Sequence, residues 1–291
     1  MARPYLRAGL TLAQGATSND PACVRALQHD LRALGYLKAG VDGDFGNGTT
    51  KAIRALQYDL LNNDGRGRDG AAPVAVTSFN AKLGGGQYVT AVTGLFDQDF
   101  AQAVAAIMAD DRVGKLPASD DPAGDNQKAL AAIRAMSSAK APVPFAIAVV
   151  TQESNGRHFH VPVGADEDKF VTLGQDRNGS TSDDVTSRGY GIGQSTLFHQ
   201  PPSRQEVADI IADPVRNVQA TFVNLRQKFD GAILGKQGAS DRMAEHPRLA
   251  LRLCRYAPTD TRYLNDCRNC ALQTRRIDIT HVASGARTIA S

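Results

Sequence analysis

Apolar residues return at helical spacing in three stretches of the first part of the chain. Val24, Leu27, Leu31 and Leu34 share one face of a helix expected from Ala22 to Leu34, and Gly35 supplies its stop. Ile53, Leu56 and Leu60 mark a second helix opening at Thr49 or Thr50, and Phe100, Val104, Ile107 and Met108 mark a third. Between the first two lies Gly40-Val41-Asp42-Gly43-Asp44-Phe45-Gly46, where glycine serves a turn with positive φ and Phe45 is placed to plug the core. Val92-Thr93-Gly94-Leu95-Phe96 echoes that turn, and Ala103-Val104 echoes Ala52-Ile53. The second stretch lacks a leading Leu-Gln helix and a Tyr-bearing turn of its own. One enlarged bundle with a long insertion is therefore the expectation, and a degenerate duplication the alternative.

The pattern changes after residue 114. Residues 115–125 combine prolines, glycine and aspartates, the composition of an exposed linker. Asp125 or Asn126 then caps a helix through Leu130, Ile133, Arg134 and Met136. In Pro144-Phe145-Ala146-Ile147-Ala148-Val149-Val150 the apolar run is unbroken, so no period separates a helix opening at Pro144 from a buried strand. The expected fold class is mainly α: a small helical bundle over 1–114, the linker, and a second α-helical domain over 126–291. A chain of 291 residues can bury a core in each.

Charge and cysteine content narrow the partners. The formal charge of +3 is small, but eight arginines face only three aspartates between Arg248 and Arg287. Such a surface attracts an anionic polymer such as cell wall or nucleic acid, or is simply a solvated basic face. Of Cys23, Cys254, Cys267 and Cys270, the last two have the spacing of half a zinc site without its second half. Free thiols, or a disulfide from Cys254 to Cys267 or Cys270, are the simpler readings. No run of about 18 apolar residues is available to span a membrane. Met1 to Arg7 shows no cleavable leader, which makes release through a holin or injection by a secretion machine the expected route.

The candidate chemistry centres on Glu153-Ser154, which closes the apolar run, and on Arg188-Gly189-Tyr190-Gly191-Ile192-Gly193-Gln194. A carboxyl group at the C-terminal end of a buried helix is held toward its neutral form by the helix dipole and by desolvation. That is the requirement for a general acid near neutral pH, and a glycine-rich loop opposite it could admit a sugar. Asp183 and Asp184, shortly before Gln194, are candidates for a second carboxylate that would activate water. His158-Phe159-His160 offers two imidazoles without a matching third metal ligand, and Ser195 lacks the Gly-x-Ser-x-Gly elbow of a serine hydrolase.

Two resemblances follow. Val24, Leu27-Gln28, Leu34-Gly35-Tyr36, Val41-Asp42-Gly43, Phe45-Gly46, Thr50 and Ala52-Ile53 together resemble the peptidoglycan-binding helical module of cell-wall hydrolases. The resemblance implies a shallow groove beside the turn, with Asp42, Gly43 and Phe45 as wall-binding candidates. Glu153-Ser154, the Gly191 to Gln194 stretch and Tyr256 resemble the lysozyme-like superfamily of goose-type lysozymes and lytic transglycosylases. That resemblance covers residues 126–265 and implies Glu153 as catalytic acid, with Asp184 as a candidate base. It also implies that Ser154, Tyr190, Gly191, Gln194 and Tyr256 line the saccharide cleft. The chain departs from the pattern at Ile192-Gly193 and at Ala257, which bears on subsite preference. Together the resemblances imply a monomeric muramidase or lytic transglycosylase acting on peptidoglycan strands in the periplasm or wall, as in modular phage endolysins. Such an enzyme needs no cofactor or metal, no nucleic acid and no stable membrane association. A noncatalytic wall-binding or structural protein and a chitinase-like glycosidase are the alternatives.

Overall fold

A computed structural model of the chain describes residues 3–38, 40–67, 72–136, 143–161, 172–176 and 179–233. The fold is mainly helical. Its helices are α1 (Pro21–Ala33), α2 (Asn47–Asn62), α3 (Gln98–Ala109), α4 (Pro122–Ala135), α5 (Val143–Ser154), the single turn α6 (Arg204–Glu206) and α7 (Pro214–Ile233). One antiparallel sheet, in the order β1 (Thr172–Asp176), β2 (Ser187–Tyr190) and β3 (Ser195–Leu197), lies between α5 and α6 in the chain. No described helix is long and apolar enough to cross a membrane.

The first three helices form where the spacing placed them. Asp20 caps α1 by accepting from the Ala22 and Cys23 amides. The helix ends in a Schellman motif: Gly35 adopts φ +79° and the Tyr36 amide returns to Leu31 O. Val24, Leu27, Leu31, Ile53, Leu56, Val104 and Phe96 are almost wholly inaccessible and share one apolar core. Each buried Leu or Ile there contributes about 2 kcal/mol relative to exposure.

The structure resolves the question of the echo. Arg25-Ala26-Leu27-Gln28-His29-Asp30-Leu31 in α1 is repeated as Arg54-Ala55-Leu56-Gln57-Tyr58-Asp59-Leu60 in α2. The leading Leu-Gln helix that the second turn had seemed to lack is α2 itself. It closes the first helix–turn–helix and opens the second, so the two units interlock through a shared helix.

Their contacts repeat as well. Gln28 accepts from the Gly43 amide at 2.8 Å and donates to Asp44 O at 2.9 Å, while Gln57 accepts from the Gly94 amide at 2.8 Å and donates to Leu95 O at 2.9 Å. Asp30 takes the Tyr5 hydroxyl and the Arg3 guanidinium; Asp59 takes the Tyr36 hydroxyl and lies 3.7 Å from Arg188 Nη2.

Beyond residue 114 the chain does not run free. Leu116 and Ser119 are buried, and the Leu116 amide donates to Ala33 O. The Lys115 ammonium donates to Ile107 O, Asp110 O and Val113 O just past the end of α3, and desolvation draws its pKa down to about 8. The expected exposed linker is thus a short strap tied to the end of α1, and its last residues already form the first turn of α4, capped by Asp121 and not by Asp125 or Asn126.

The second half also docks on the helical units. Arg188, 2% exposed, donates through Nε to Gly35 O and stacks over the Tyr36 ring at 4.8 Å. Gln200 donates to Leu34 O, and Asn63 donates to Gln200 O.

Two smaller cores complete the second half. Ala129, Ile133, Ala146, Val150, Ile192 and Val218 join α4, α5 and α7, while Leu116, Phe159, Tyr190, Leu197, Val207 and Ile211 pack beneath the sheet. The helix α5 lacks a clear apolar period because every position from Ala146 to Val150 is apolar, with Ala146, Ala148, Val149 and Val150 buried and Ile147 partly so.

Candidate functional sites

The first turn presents alternating faces. Asp42 and Asp44 are exposed, whereas Gly43 and Phe45 are buried. Gly43 adopts φ +82°, and a Cβ there would stand 3.1 Å from Pro21 O and 3.3 Å from Arg25 Nη2. Arg25 donates to Val41 O at 3.0 Å and to Asp42 O at 2.8 Å, holding the turn against α1. Phe45 is 1% exposed, so it shapes the turn from within and offers no face to a ligand. Of the three wall-binding candidates, only Asp42 presents its side chain to solvent, and one of its carboxylate oxygens is tied to Gln28 and to the Asp44 amide.

The second candidate site is built from α5 and the β2–β3 hairpin. Ser154 ends α5, and Asn155 and Gly156, with φ of 57° and 69°, stop the helix there. Glu153, half-buried, is thereby held on the last turn. The Ser154 hydroxyl donates to Ile192 O at 2.8 Å, with Val150 O also in reach at 3.0 Å, and so ties the end of α5 to the hairpin loop. Gly191 to Gln194 join the pair Tyr190↔Ser195, and Ile192, wholly buried in the second core, anchors the loop.

Polar side chains fix this loop from behind. The buried His158 accepts the Ile192 amide on Nδ1 at 3.2 Å, which places its proton on Nε2, facing Ala212 O at 3.4 Å. Burial lowers its pKa to about 4, so the ring is neutral when it accepts this bond. Asn126 orients the His158 segment by accepting from the His158 and Phe159 amides. Asn217, fully buried on α7, accepts from the Gly193 amide and donates toward Tyr190 O and Ile210 O.

These close approaches demand the glycines. A Cβ at Gly191, where φ is +71°, would stand 2.6 Å from the His158 ring, and one at Gly193 would stand 1.5 Å from Thr221 Oγ1. Sequence reasoning missed the bracing roles of His158, Asn126 and Asn217, because isolated polar residues far apart in the chain carry no periodic signal. The Gly-x-Gly spacing was the visible trace of them.

Other predicted residues fall elsewhere. Tyr190 is 0% exposed and donates to Gln200 Oε1 at 3.0 Å, so its ring belongs to the core and is not a face of a cleft. Gln194, at φ +49°, turns its amide back onto Gly191 O at 2.8 Å, and its Oε1 is inaccessible and has no hydrogen-bond partner among the described residues. Asp183 is gripped by Arg54 of α2 through Nε at 3.0 Å and Nη2 at 2.6 Å. Asp184 accepts from the Ser180 amide at 2.9 Å. It lines a cleft of about 370 Å³ with Tyr58, Asn62, Asp64, Phe198 and His199. Tyr256, Cys254, Cys267, Cys270 and the arginine-rich segment lie outside the described residues, while Cys23 is buried and free.

Helices α1 and α2 thus form a helix–turn–helix with an exposed acidic turn over a buried phenylalanine. Residues 22–61 match the family described as "Putative peptidoglycan binding domain". The match spans 40 of the 291 residues and supports a peptidoglycan-binding module in this segment, with peptidoglycan as the partner it indicates. No curated protein and no solved structure matches the chain.

Proposed function

We propose that the chain is a peptidoglycan glycosidase that cleaves the MurNAc-GlcNAc β-1,4 bond with Glu153 as general acid, held on the wall by the module of residues 22–61. One observation carries this reading. Glu153 sits half-buried on the last turn of α5, next to the serine that binds this helix end to the glycine loop. Preorganisation of that loop by His158 and Asn217 is the kind of rigid support a catalytic constellation needs. Tethering to an insoluble polymer raises the local concentration of the catalytic half at its substrate.

The arrangement of the other carboxylates favours lytic transglycosylation over hydrolysis. Asp183 is occupied by Arg54 and Asp184 by its own loop, so neither of these two candidate bases is poised to activate water. In that reaction the bond from the muramyl C1 to the bridging oxygen breaks, and the oxygen takes the proton of Glu153. The muramyl 6-hydroxyl then attacks C1 and returns its proton to the carboxylate, which closes an anhydro sugar. The wall is the place of action in this proposal, with delivery by a holin or a secretion machine. A zymogram with Glu153→Gln beside the native protein is expected to lose clearing by about 10²–10⁴-fold. Equal clearing removes Glu153 as the acid, and absence of clearing by either protein favours a pure binder. Mass spectrometry of the released fragments separates anhydro ends from reducing ends.

A further inference from the structure

The geometry points to a second wall-binding face on the turn Thr93-Gly94-Leu95, one that recognises the uncharged sugar backbone of peptidoglycan. The inference rests on the peptidoglycan-binding reading of residues 22–61 and extends it to a turn that lies outside that match.

Equivalence between the two turns holds at the level of single atoms. The leading helices share Arg-Ala-Leu-Gln-x-Asp-Leu, and each glutamine clamps its turn glycine by accepting the glycine amide at 2.8 Å. The glycines have φ of 82° and 78°. A Cβ on Gly43 would meet Pro21 and Arg25, and one on Gly94 would meet Thr50 and Arg54, the residues at matching places in the repeat. Burial alternates identically: Asp42 and Asp44 are exposed around buried Gly43 and Phe45, and Thr93 and Leu95 are exposed around buried Gly94 and Phe96. Two surfaces built on one plan and joined through one rigid helix face the solvent with the same backbone.

Their side chains differ, and the difference sets the ligand chemistry. The first turn carries two aspartates, suited to the charged and amine-bearing parts of the wall peptides. The second carries Thr93 and Leu95, both exposed, with Leu95 at 46%. A neutral, partly apolar turn suits the carbon faces and acetamido methyls of the glycan. Contacts of that kind are not screened by salt, whereas contacts of exposed charges are. Sharing α2 fixes the spacing of the two faces, and if one wall polymer engages both, avidity multiplies two weak contacts.

Pelleting of the full chain with purified sacculi tests this, with Leu95→Lys and Asp44→Lys as variants and thermal unfolding as the check that each is folded. Both side chains point outward, so native melting is expected. Leu95→Lys should weaken binding by about 10-fold or more, through loss of avidity. The loss should persist in high salt and on glycan strands freed of their peptides by an amidase. Native affinity of Leu95→Lys beside a weakened Asp44→Lys overturns the second face and leaves the first intact. If the native chain itself fails to pellet, the wall-binding reading of residues 22–61 falls, and this inference with it.

Discussion

The first and second halves of the molecule are held together by different means. Residues up to 113 share one extensive apolar core to which three helices each give a single face, and the glutamine clamps on its two turns are repeated. Around the candidate catalytic loop the apolar clusters are small. Buried polar side chains set the backbone there: Ser154 from α5, His158 and Asn126 beneath it, and Asn217 from α7. An apolar core tolerates exchange of one hydrophobe for another of similar volume. A polar-braced loop does not, because each lost partner leaves an unsatisfied group in a site closed to water. Fold stability therefore resides mainly in one half and conformational precision in the other.

The sharpest way to break this contrast lies at the seam. Asp30 and Asp59 occupy the same place in the repeat, but Arg3 and Asp30 keep side-chain exposures of 27% and 16%, while Arg188 and Asp59 keep 2% and 8%. Desolvation already raises the pKa of Asp59 in spite of the Arg188 charge and the Tyr36 hydroxyl. Arg188→Ala leaves that carboxylate buried with less compensation and should cost about 3–5 kcal/mol in urea unfolding. Arg3→Ala, at the more exposed site, should cost about 1 kcal/mol or less. Equal losses would mean that burial does not distinguish the two copies.

A smaller effect should appear with pH. The His158 pKa is lowered from 6.5 to about 4, so the neutral ring contributes stability that is full above 6.5 and is lost as pH falls through 4. Protonation of Nδ1 would end its acceptance of the Ile192 amide. Unfolding free energy should therefore drop by about 2–3 kcal/mol between pH 7 and pH 4.5 from this group. His158→Gln should be less stable at pH 7 and show a flatter profile over that window. A native protein with no such slope would contradict the buried neutral imidazole.

The same contrast explains what the sequence disclosed. The helices α1, α2 and α3 were legible because each buries one face, and Phe45 because an aromatic after a glycine turn has one sensible destination. The second unit was misread because α2 was counted once, although Leu56-Gln57 repeats Leu27-Gln28 in plain sight. An unbroken apolar run erased the period of α5, leaving helix and strand equally open. The seam was invisible in principle: an arginine and an aspartate far apart in the chain carry no pattern that announces their meeting. Glu153 and Ser154 could be singled out from the apolar run they close, while His158 and Asn217 became intelligible only once tertiary structure set them on the same loop.

A more exposed link across the seam offers the finest discrimination. Arg54 grips Asp183 with two bonds, yet their side-chain exposures are 36% and 14%, so solvent screens much of the attraction. Asp183→Asn should lower stability by about 1 kcal/mol or less in urea unfolding. Its consequence for activity separates two roles that stability alone cannot. If Asp183 only latches the second half to α2, clearing of sacculi by Asp183→Asn should stay within about twofold of native, since 1.4 kcal/mol would be needed for a tenfold change. The same holds for Asp184→Asn, whose partner is its own loop. Loss of clearing in either variant, with native unfolding and an unchanged anhydro product, would put a second carboxylate into the chemistry and reverse the assignment of that loop to structure.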